Sequence, residues 1–63
     1  MSAAELSSLA TALDELTRRV TEHADAAQAR KDEETARELF AVERALNGAN
    51  RRLSRLATAL NRQ

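Results

Sequence analysis

Leucines and smaller apolar residues recur along this chain at alternating intervals of three and four. Leu6, Leu9, Leu13, Leu16, Val20, His23 and Ala27 keep the a and d rhythm of a coiled-coil seam. Leu39, Val42, Leu46, Ala49, Leu53, Leu56 and Leu60 keep it again. The two series do not share a frame. Continued forward, the first places Arg30, Glu34, Arg37, Arg44, Arg51 and Arg55 in the seam. Continued backward, the second buries Asp32, Gln28, Asp25, Thr21 and Arg18. The register therefore changes within residues 28–38, the stretch QARKDEETARE.

Local signals there predict a reversal of the chain. Ser2 and Glu5 have the spacing of a capping box that opens a first helix over about 2–30. Asp32 suits the N-cap of a second helix over about 32–61, with Glu33 and Glu34 near its positive end. Arg30 and Lys31 would close the first helix, where cations are favoured. The competing reading is one continuous helix, a structural rod. It would cross the gap by burying Lys31 and Thr35, and the stretch contains no Gly or Pro to forbid it.

Charge tips the choice toward a hairpin turning at about 30–33. Residues 1–16 carry Glu5, Asp14 and Glu15 without a base, whereas five arginines and no acid follow from position 44 onward. Folding the chain back sets these blocks side by side and brings Arg18 and Arg19 near Glu43. Such pairs are individually weak but penalise the wrong orientation. Antiparallel a-to-d pairing would then oppose Leu6 to Leu56, Leu9 to Leu53, Leu13 to Ala49, Leu16 to Leu46, Val20 to Val42 and His23 to Leu39.

A single seam with alanine and histidine in several layers is a thin core for 63 residues. Ala10, Ala12, Ala24 and Ala26 flank the first stripe, as Ala45, Ala57 and Ala59 flank the second. The stripes are thus wide enough to touch two neighbours. The fold class expected is all-α, an antiparallel coiled-coil-like hairpin that forms a homodimeric four-helix bundle. The leucines and valines of the two stripes make up the self-association core.

Composition narrows the chemistry. The chain is rich in helix formers, lacks Pro, Cys and Trp, and has one Gly and one Phe. Without cysteine there is no disulfide framework or thiolate metal site, and His23 is the only histidine. No nucleophile neighbours a base and no glycine-rich loop could cradle phosphate, so neither catalysis nor a cofactor is expected. The absence of a signal-like start or a long apolar run points to a cytoplasmic protein with no transmembrane insertion.

Four features stand outside the core. Phe40, at a b position, is a candidate anchor for a protein partner, against the plainer reading of a residue lying over the bundle edge. His23, set among leucines, is a candidate pH switch, against the plainer reading of a neutral polar residue that sets register. Arg37, Arg44 and Arg51 repeat every seven residues with Arg55 nearby, a candidate polyanion stripe. Zero net charge and no stacking aromatics argue for an ordinary solvated face instead, and the 50–63 segment reads more naturally as bundle than as a membrane-surface helix. Gly48, within NGAN, is the one weak point of the second helix. The function expected is therefore protein–protein interaction, self-association together with docking of a larger partner as a small adaptor or regulator. Nucleic-acid binding is the alternative.

Overall fold

A computed structural model describes residues 1–62, and in it the chain is a helical hairpin. Helix α1 runs from Ala3 to Ala29 and helix α2 from Glu33 to Asn61. They pack along their whole length into a body of 49 × 14 × 12 Å. Among the described residues there is no strand, and no helix is long and apolar enough to cross a membrane.

Both helix starts follow from their side chains. The Ser2 hydroxyl accepts from the Glu5 amide at 3.1 Å, and the Glu5 carboxylate accepts from the Ser2 amide at 2.9 Å. This reciprocal box satisfies two amides that a helix start would otherwise leave unpaired. Asp32 caps α2 by accepting from the Thr35 amide at 3.2 Å.

The reversal takes three residues. Asp32 donates its amide to the Ala27 carbonyl at 2.9 Å, and Lys31 donates to Gln28 at 3.0 Å. These are the paired bonds of a Schellman ending, with Lys31 in the left-handed conformation at φ 66°. Glycine ordinarily holds that position because a Cβ is strained there. The chain uses lysine, which is why composition gave no sign of so tight a stop. The same Asp32 then starts α2, so one residue ends the first helix and begins the second.

The seam between the helices is rotated from the one expected. On α1, Leu6, Thr17, Ala24 and Ala27 are buried, with Ala10, Leu13 and Val20 half-buried. On α2, Ala36 and Ala57 are buried, with Leu39, Glu43, Leu46, Asn50, Leu53 and Leu60 half-buried. These are a and e positions. The d residues Leu9, Leu16, His23, Val42, Ala49 and Leu56 lie exposed. Each of the six pairs expected, Leu6–Leu56, Leu9–Leu53, Leu13–Ala49, Leu16–Leu46, Val20–Val42 and His23–Leu39, has such an exposed d residue as one partner, so none of them forms the buried centre of the seam. The reason is size. The small residues at e, Ala24 on α1 and Ala36 and Ala57 on α2, are buried there and let the helix axes approach closely, while Glu43 and Asn50 occupy the other e positions of α2.

The charge pairs expected across the hairpin are also absent among the described residues. Arg18 bonds instead to Glu15 and Glu22 of its own helix, each at 2.5 Å. Glu43 accepts a hydrogen bond from the Thr21 hydroxyl across the seam. The hairpin forms, but without the ion pairs that argued for it.

Gly48 does not break α2, which is continuous through NGAN. A Cβ there would meet only an Arg51 guanidinium nitrogen at 3.9 Å, an ordinary contact. Gly48→Ala should therefore stabilise the fold by about 1 kcal/mol through helix propensity. Lys31→Gly should add about 1 kcal/mol by relieving the left-handed lysine. Urea unfolding followed by circular dichroism, at fixed protein concentration, reads both.

Candidate interaction face

The rotation of the seam gives the hairpin two unlike faces. Viewed end-on, antiparallel helices wind in opposite senses. Residues three places beyond the seam leucines therefore emerge on the same side of both helices. Leu9, Leu16 and His23 of α1 thus share a face with Val42, Ala49 and Leu56 of α2. Leu9, Leu16, Val42 and Leu56 are 46%, 47%, 45% and 49% exposed. Ala12 and Ala26, with Arg19 between them, flank the line on α1, and Ala45 and Ala59, with Arg52 between them, that on α2, all of them exposed. The face is a second apolar stripe, bordered by alanine and arginine.

The opposite face is polar and narrow. Ser7, Ala10 and Thr11 of α1 line a shallow groove with Ser54, Ala57 and Thr58 of α2. Thr11 and Thr58 each return their hydroxyl to the carbonyl four residues earlier, both at 3.0 Å, so these side chains are already satisfied. Between the faces, the seam has polar layers that the leucine rhythm did not reveal. Thr17 donates to the Leu13 carbonyl at 2.8 Å, Thr21 pairs with Glu43, and Asn50 keeps a buried Oδ1 without a partner. The only advance sign of this seam was the small residues at e, which had been assigned to widening the stripe.

The remaining candidate residues are dispersed. Phe40 is half-buried near the turn, on the polar side, where it borders a cleft with Gln28, Lys31, Ala36 and Arg37. His23 stands exposed on the apolar face, not within the hairpin seam. Arg37, Arg44, Arg51 and Arg55 are all exposed along the outer side of α2, and none makes an ion pair among the described residues. No cluster of three or more metal-ligating side chains forms among the described residues.

Electrostatics at the helix ends is local. Hydrogen bonds from the Ser2 backbone and then its side chain hold the Glu5 carboxyl below its ordinary pKa. Hydrogen bonding from Thr35 does the same for Asp32, aided by Arg30. The Arg18 hydrogen bond and charge lower Glu15. A carboxyl depressed in the folded state contributes stability that is fully present above its unfolded pKa. That contribution is lost as pH falls through the folded value. Helicity should therefore decline in the acid range beneath the ordinary carboxylate values, as the lowered carboxyls of Glu5, Glu15 and Asp32 take up protons. A circular dichroism titration of the wild type against Asp32→Asn, which keeps the cap but cannot ionise, should show a shallower acid decline in the variant.

No protein-family model matches this chain, and no curated protein or solved structure matches it either.

Proposed function

We propose that the protein is a non-enzymatic interaction module whose immediate partner is a second copy of itself, forming a four-helix bundle through the Leu9–Leu16–Val42–Leu56 face. The observation that carries this reading is the exposure of those four large apolar side chains on one face of so small a body. Among the described residues, the buried hydrophobics are Leu6, Ala24, Ala27, Ala36 and Ala57, four of the five being alanine. A core of that size leaves much apolar area to be covered by association.

A second copy fits the face for a further reason. Alanines border its leucines and valine, so the backbones of two such faces can approach closely. Covering it would restore the full a and d stripe as the centre of a four-helix bundle. The seam leucines Leu13, Leu39, Leu46, Leu53 and Leu60, half-buried in the single hairpin, would then be covered as well. Phe40 and the cleft near the turn lie on the other side and stay free. They are the surface on which the dimer would dock a larger protein, as a small adaptor or regulator, in the reducing compartment that a cysteine-free chain suits.

Sedimentation equilibrium tests self-association directly. The wild type should run as a dimer, and Leu16→Glu should weaken association by more than about a hundredfold, because a carboxylate would be buried without a partner. Thr58→Glu, on the polar face, should leave the mass unchanged. A monomeric wild type overturns the proposal. Nucleic-acid binding is decided separately. Affinity for RNA or DNA that falls steeply with salt, and is lost in Arg44→Ala/Arg51→Ala, would make the arginine stripe the functional surface.

A further inference from the structure

Resting on that dimer, we propose that its two hairpins lie with their turns at opposite ends. Each α1 then packs on the other copy's α1, and each α2 on its α2, about a two-fold axis that passes between Leu16 and Ala49. Closing two such faces by two-fold symmetry allows one other choice, with both turns at the same end and α1 packed on α2 of the second copy. Side-chain volume separates the two arrangements.

The heights of the residues come first. The Thr21–Glu43 bond aligns the two helices, and the groove that joins Ser7, Ala10 and Thr11 to Ser54, Ala57 and Thr58 agrees with it. Stepping along the helices from that bond brings Leu16 level with Ala49 to within about one residue's rise, ~1.5 Å. In the same register Leu9 is level with Leu56, and His23 with Val42. Each helix therefore has the middle member of its open d line at the same height.

Along that axis the hairpin changes in bulk. At the open end the a and d positions are all leucine: Leu6, Leu9 and Leu13 opposite Leu53, Leu56 and Leu60. Toward the turn they shrink to His23 and Ala27 opposite Leu39 and Val42, and Ala24, Ala27 and Ala36 make the seam there. With the turns together, the open end would stack three successive layers of four leucines. The turn end would hold layers of alanine, valine and two histidines. One end would be overfilled and the other underfilled, and protein interiors tolerate neither. Reversing one copy removes the mismatch. Leu9 and Leu56 then share a layer with His23 and Val42 of the second copy, and Leu13 and Leu53 share one with its Val20 and Leu46. Leu16 and Ala49 meet their own counterparts at the axis. The two ends of the bundle then have the same composition, and neither is filled by leucine alone.

Reversal also sends the two His23 side chains to opposite ends instead of into one layer.

The chain has no cysteine, so single-cysteine variants report cleanly. Under mild oxidation Ala49→Cys should link two chains nearly quantitatively, because the thiols face each other across the axis. Nitroxide labels on Gln28→Cys, near the turn, should lie about 35 Å apart by electron spin resonance. Labels about 20 Å apart on a dimer that does not cross-link at position 49 would overturn the arrangement and leave the dimer standing. A monomeric mass for the wild type would overturn the dimer itself.

Discussion

The structure turns on a mismatch between the width of its apolar stripes and the number of neighbours one hairpin supplies. Each helix carries mostly apolar or small residues at a, d and e, His23, Glu43 and Asn50 apart, yet each meets only one other helix. Two cylinders in contact can share about two positions per heptad. The pair that wins is a with e, because the alanines and threonines at e permit the closest approach. Everything placed at d is left over. The exposed row from Leu9 to Leu56 is thus the remainder of a stripe built for two contacts, and any further assembly of the protein has to account for it.

The turn supports that geometry with very little material. Three residues reverse the chain, and Asp32 takes part in both the ending of α1 and the start of α2. A longer loop would allow the helices to slide, whereas a Schellman ending joined directly to an N-cap fixes their relative height. That height is what brings Thr21 to Glu43, and it is also what sets Leu16 level with Ala49. Strain at Lys31 is confined to one exposed residue, while the aligned seam extends along both helices.

Polarity within the seam has a consistent sense. Thr17, Thr21, Glu43 and Asn50 occupy the e side, at the margin nearer the polar face, and the leucines occupy a, nearer the apolar one. The hairpin is therefore graded across its thickness, from the satisfied hydroxyls of Thr11 and Thr58 to a surface with little to hydrogen-bond. The hydroxyls at the polar margin are satisfied within the chain, whereas the buried Asn50 Oδ1 is not, and the large exposed apolar side chains lie on one side.

By itself the sequence determined the elements. Period and caps located both helices, because amphipathic spacing and the Ser2, Glu5 and Asp32 side chains act within a turn or two of the backbone they organise. The register change in QARKDEETARE located the reversal, since a stripe cannot face the same neighbour in two frames. Rotation of the helices about their own axes was not legible, because a, d and e are mostly apolar or small and period alone does not rank them. Nor was the Thr21–Glu43 bond, which depends on a seam that forms only once the helices have turned, whereas the Arg18 pairs with Glu15 and Glu22 lie within one helix. The tertiary structure decided the rotation through packing: leucines at a and alanines at e came together, and the d residues were left to face outward.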